Sequence, residues 1–99
     1  MARYRTPTEI VADVLSAALD ANTEGHGIGI TALARRGNLP HSRMTKLVAD
    51  LVGAGLLLES ERERELGKAP RYKISEKGVE FLHTYAQFDE FAQTFGLRL

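Results

Sequence analysis

The sequence predicts a mainly helical α+β domain in which helices pack around a small β-hairpin, and three observations predict it. Apolar residues recur at helical spacing in three stretches, with cap signals marking a fourth. Charged residues alternate with period two over 59–65 ahead of a Gly/Pro turn, as in a hairpin. Finally, 99 residues that are 43% hydrophobic, 26% charged and free of cysteine suit one small core held without disulfides.

The first helix is expected over about 7–21. Thr6 can cap it, Pro7 suits its first position, and Glu9 completes a capping box. Ile10, Val14, Ala17, Ala18 and Ala21 line its inner side, with Glu9, Asp13, Ser16 and Asp20 opposite. A glycine-rich turn over 22–27 leads into an extended stretch, 28–30, too short to stand alone as a sheet. Thr31 can cap a short second helix, 32–36, which Gly37 and Asn38 close because both tolerate left-handed backbone. Leu39 then turns inward. A third helix over about 40–54 carries Met44, Leu47, Val48 and Leu51 as one buried stripe, and Gly55 stops it.

The segment 56–65 reads as a strand, with Glu59, Glu61, Glu63 and Glu65 on one face and Ser60, Arg62 and Arg64 on the other. Gly67-Lys68-Ala69-Pro70 turns the chain, and 71–75 returns with Tyr72 and Ile74 on one side. Ser75 can cap a last helix over about 76–95, roughly 30 Å long at about 1.5 Å per residue.

Thirteen basic and thirteen acidic residues cancel, so a general polyanion-coating role is disfavoured. Their distribution is uneven. Residues 1–34 and 74–99 each carry a net −2, whereas 35–73 carry +4, so the middle of the chain could orient on a polyanion. The apolar run at 51–58 is far shorter than the roughly 20 residues that cross a bilayer. Pro7, Glu9 and Asp13 interrupt any apolar segment after Arg3 and Arg5, so no signal peptide is expected and the protein should remain in the cytoplasm.

The order helix, strand, helix, helix, strand, strand, helix is that of a winged helix-turn-helix, with 28–30 joining the hairpin as its third strand. Asn38-Leu39 before the third helix, Leu51 with Gly55-Leu56 at its end, and Tyr72-Lys73-Ile74-Ser75-Glu76-Lys77-Gly78 followed by Phe81-Leu82 and Tyr85 carry the resemblance. In these residues the chain resembles the small archaeal winged-helix DNA-binding proteins, which include transcription regulators and nucleoid-associated proteins. The resemblance spans nearly the whole chain. It implies a DNA-binding domain over 1–75, a dimerisation helix over 76–99, and a homodimer on double-stranded DNA.

With its stripe turned inward, the third helix presents His41, Ser42, Arg43, Thr45 and Lys46 outward, where a recognition helix meets base edges and phosphates. Any solvated helix carries such residues, and the helix-turn-helix context is what singles this one out. In the hairpin, Arg62 and Arg64, flanked by Lys68 and Arg71, could approach phosphates, or else form cross-strand ion pairs with the glutamates. Arg35 and Arg36, and a basic arm of Arg3 and Arg5, are weaker backbone contacts.

On the last helix, Val79, Leu82 and Ala86 can dock on the domain. A second stripe of Phe81, Tyr85, Phe88, Ala92 and Phe95, joined by Phe91, has coiled-coil seam spacing and is expected to form a dimer interface unless the core absorbs it. His26, His41 and His83 stand isolated, so no metal site is expected. Gly25-His26-Gly27-Ile28-Gly29 follows a helix and lacks the lysine-serine pair of a phosphate-binding loop, and the glutamates of 59–65 have no pocket to perturb them. No catalytic activity, cofactor or membrane partner is expected, and no effector is identified. A winged-helix adaptor that binds protein rather than DNA is the competing reading, because the net charge is zero and fold does not fix function.

Overall fold

Local capping starts the first helix where the sequence places it. In the computed structural model, which describes residues 5–22 and 25–98, α1 spans Pro7–Ala21. Thr6 Oγ1 accepts from the Glu9 N–H at 3.1 Å, and the Glu9 carboxylate accepts from the Thr6 N–H at 3.2 Å, the reciprocal pair of a capping box. Val14, Leu15 and Ala18 are fully buried on its inner face. Leu15 is the largest of these, although the expected stripe passes it by.

Beyond the glycine turn, strand β1 (Ile28–Gly29) pairs antiparallel with β3 (Arg71–Ile74), which in turn pairs antiparallel with β2 (Leu57–Glu59), giving the order β1-β3-β2. Ile28 and Glu59 lie opposite Tyr72, and Leu57 lies opposite Ile74. Gly27 permits the first pairing: its φ is +73°, and a Cβ there would fall 2.6 Å from the Tyr72 carbonyl oxygen.

Helix α2 (Ile30–Gly37) starts earlier than expected. Gly29 occupies the cap position, so Thr31 lies inside the helix and does not cap it. The chain leaves α2 at Asn38, which adopts left-handed backbone at φ 53° and ψ 50°, and enters α3 (His41–Gly53) three residues later. Gly37 lets the two helices approach, since a Cβ there would meet Met44 Cε at 2.9 Å. Met44, Val48 and Leu51 of α3 are buried, and Leu47 and Leu39 pack against the same core.

The segment 61–65 corrects the sequence expectation. Glu61–Glu65 form a short helix, α4, where a strand is expected, so the hairpin is interrupted between β2 and β3. Ser60 caps it by accepting from the Glu63 N–H, and Glu61 and Glu63 occupy its first turn, the end a helix dipole prefers for acids. No residue of α4 is buried, so no apolar face holds the segment extended. Arg62 and Arg64 consequently do not share a strand face opposite the glutamates.

Helix α5 (Glu76–Gln93) begins at Ser75, whose Oγ accepts from the Gly78 N–H at 3.0 Å and donates to the Gly55 carbonyl. The Ser75 N–H also donates to the Leu56 carbonyl at 3.1 Å, so one residue ties the end of β3 to the end of α3. Phe81 and Leu82 pack against the core, while Val79 and Ala86, both expected to dock, are exposed. Past the helix the chain folds back through Gly96, at φ +73°, and Arg98 Nε pairs with Glu9 Oε1 at 2.8 Å. The result is a mainly helical α+β architecture with a three-stranded antiparallel sheet. No helix among the described residues is long and apolar enough to cross a membrane.

Candidate nucleic-acid interface

Burying Met44, Val48 and Leu51 turns the other flank of α3 outward, and His41, Ser42, Arg43, Thr45 and Lys46 are all exposed. Thr45 Oγ1 donates to the His41 carbonyl at 2.9 Å and lies 3.5 Å from His41 Nδ1, which orients both side chains on the first turn. No acid lies in that turn, and neither Arg43 nor Lys46 forms an ion pair among the described residues. Arg43 and Lys46, with Asp50 one turn on, border a shallow cleft of about 290 Å³ against Pro7 and Ile10 of α1. This flank offers two unneutralised cations, hydroxyls and an imidazole, the groups that hydrogen-bond phosphates and base edges.

The other expected cations divide into free and engaged. Arg35 and Arg36 are exposed in the last turn of α2, and Arg62 and Lys68 are exposed around α4. Arg64 instead pairs with Glu59. Arg71 is half-buried and directed inward: its Nε donates to the His26 carbonyl and its Nη2 to the Gly27 carbonyl, each at 2.8 Å. It anchors the glycine turn to the sheet and does not flank an extended tip. Arg5 is also engaged, with Nη1 3.0 Å from Asp13 Oδ2 and Nη2 donating to the Asn38 carbonyl at 3.1 Å. It braces the α2–α3 turn against α1 and is not a free arm. Arg3 lies outside the described residues.

Lys73 is an exposed cation that the site expectations omit. The signal for it is plain: Tyr72 and Ile74 point inward, so the residue between them points out.

Burial, with the Glu59 carboxylate adding to it, raises the Tyr72 phenol above its ordinary value, and the Arg64 guanidinium partly opposes this. Tyr85 is raised likewise, first by burial and then by Asp89, Glu9 and Asp13, with Arg98 opposing. Both phenols are therefore neutral at physiological pH and act as hydrogen-bonding, apolar-bodied groups.

The aromatic stripe of α5 is only partly available. Phe81 stacks on Tyr85 with ring centroids 6.3 Å apart, and both are half-buried within the chain. Ala92 is covered by its own chain at 4% exposure, so it cannot line an interface as expected. Phe88, Phe91 and Phe95 are 56%, 61% and 66% exposed, with Phe91 and Phe95 edge to face at 5.2 Å. Beside Phe88, a groove of about 530 Å³ runs between Leu56, Thr8, Phe81 and Thr84. Among the described residues no three His, Asp or Glu side chains converge as metal ligands would. The sequence matches no protein-family model and no curated protein.

Proposed function

We propose that the chain is a winged-helix DNA-binding protein in which α3 enters the major groove, acting as a homodimer in transcription regulation or nucleoid organisation. The observation that carries this reading is the outward flank of α3: Arg43 and Lys46, without ion pairs among the described residues, beside His41, Ser42 and Thr45, on a helix whose first turn carries no acid. The turn at Asn38, braced by Arg5, supports the reading by fixing α3 against α2. Arg35, Arg36, Arg62, Lys68 and Lys73 supply further phosphate contacts.

The dimer forms through Phe88, Phe91 and Phe95. At roughly 150–250 Å² per aromatic side chain, three rings about 60% exposed offer roughly 300–400 Å² of apolar surface per protomer. That suffices as the centre of an interface of about 800 Å² per partner once its polar rim is added. Two-fold pairing would set the recognition helices about one DNA turn apart, roughly 34 Å.

A mobility-shift titration on genomic DNA fragments at two salt concentrations tests the reading. The expected result is a shift that weakens steeply with salt. One observation favours the adaptor alternative: Arg64 and Arg71 are engaged within the chain, which leaves the hairpin region a weak phosphate arm. Absence of binding at both salt concentrations selects the adaptor.

A further inference from the structure

A second groove runs on the other flank of the α1–α5 contact, and its chemistry differs from that of the aromatic stripe. Its floor is apolar, formed by Leu19 of α1 with Leu82 and Ala86 of α5, and its volume is about 600 Å³. Its rim is acidic. Asp13, Asp89 and Glu90 border it, and no lysine or arginine among the described residues lines it. Asp13 is satisfied by Arg5 and Asp89 accepts from Gln93 Nε2 at 2.8 Å, whereas Glu90 is exposed and without an ion pair among the described residues.

At about 100° per residue, Leu82 and Ala86 each lie about 120–180° around α5 from Phe88, Phe91 and Phe95, so a dimer formed through the phenylalanines leaves the floor of this groove open. From Ala12 to Leu19 the groove follows α1 for about 10 Å, and from Leu82 to Gln93 it follows α5 for about 16 Å. Two to three turns of a third helix fit that length.

We propose that this groove is a docking site for a basic amphipathic helix of another protein. The occupant places apolar side chains at i, i+3/i+4 and i+7 onto Leu19, Leu82 and Ala86, with Lys or Arg flanking them toward Asp89 and Glu90. Charge selects this occupant. A second copy of α5 would set its own Glu80, Asp89 and Glu90 against a rim of the same sign, whereas a cationic helix meets the Asp89 and Glu90 carboxylates with opposite charge. Helices α1 and α5, which pack on one another, belong to the two stretches of sequence with net negative charge, 1–34 and 74–99. One molecule thus offers a basic flank and an acid-rimmed apolar groove, and the proposal does not depend on the DNA reading.

The test uses the whole chain and three labelled synthetic peptides of about 18 residues: an amphipathic Leu/Lys helix, the same helix with Glu for Lys, and a scramble of the first with its periodicity destroyed. Fluorescence anisotropy should show the Leu/Lys helix binding at least tenfold tighter than either control. Amide NMR shifts should centre on Ser16, Leu19, Leu82, Ala86 and Glu90. Ala86→Lys, at an exposed helical position, should abolish binding with the circular dichroism spectrum unchanged, and the double variant Asp89→Asn/Glu90→Gln should weaken it roughly fivefold. Equal binding of the scramble, shifts centred on Phe88, Phe91 and Phe95, or variants that bind like the parent would each overturn the proposal.

Discussion

Replacing Gly78 by alanine tests the packing of α5 directly, because two opposed effects can both be sized. Gly78 sits in the first turn of α5 and is buried. In an open helix the change to alanine stabilises by about 1 kcal/mol, since glycine loses more backbone entropy on folding. Here the added Cβ would fall 2.4 Å from the Leu56 carbonyl oxygen and 2.5 Å from Ile74 Cγ1. Neither neighbour can yield cheaply: the Leu56 carbonyl is backbone and already accepts from the Ser75 N–H, and Ile74 is paired in the sheet. Restoring an ordinary contact requires α5 to move by about 1 Å, and strain of this kind costs about 3 kcal/mol against backbone, at the upper end of the overpacking range. The net expectation is a loss of about 2 kcal/mol, or roughly a 10 °C fall in melting temperature for a domain of this size.

Gly53→Ala is the internal control. Gly53 lies in α3 and a Cβ there meets nothing within 4 Å, so the same chemical change should stabilise by up to about 1 kcal/mol. Urea unfolding of both variants at one protein concentration gives the two signs. If both shift the same way, the close approach of α5 to Leu56 is wrong.

Other consequences are equally direct. Thr6→Ala removes the acceptor for the Glu9 N–H and should lower stability by about 1 kcal/mol in the same urea assay, with Thr6→Asp largely restoring it. Tyr72 has a folded pKa above its unfolded value, so its contribution is fully present below about pH 10 and is lost as the pH rises through the folded value. Unfolding measured between pH 8 and 11 should show stability declining at the alkaline end, less so in Tyr72→Phe. Phe91→Lys leaves the core untouched because Phe91 is 61% exposed, yet it should convert a dimer into a monomer in sedimentation at micromolar concentration. A parent chain that sediments as a monomer would remove the dimer from the account.

What the sequence made legible was set by local chemistry. The Thr6-Pro7-Thr8-Glu9 box and the Ser75 cap place the starts of α1 and α5 to the residue, because a cap depends only on neighbours three positions away. Asn38 and Gly55 mark where the backbone turns left-handed for the same reason. Glu61–Glu65 misled because its period-two pattern alternates acid with base, not apolar with polar. Only the second kind of alternation buries a face, and without one the helix-forming glutamates and arginines follow their Ser60 cap into α4.

Arg71 and Arg5 were illegible for a different reason. Their partners lie 44–45 residues away at Gly27 and His26, and 33 away at Asn38, and backbone carbonyls at such distances leave no trace in composition. The exposed flank of α3 was legible because the Met44, Val48 and Leu51 spacing fixes which side faces in.

The salt dependence of DNA affinity in the parent chain, Lys46→Ala and Arg71→Ala addresses the central claim most directly. Each phosphate contact contributes about −0.9 to the slope of log affinity against log salt. Lys46, exposed on α3 without an ion pair among the described residues, should shallow the slope by about that amount when removed, whereas Arg71, spent on the His26 and Gly27 carbonyls, should leave it unchanged. A slope that responds to Arg71 and not to Lys46, or no DNA binding even at low salt, would contradict the assignment of α3 as the reading helix.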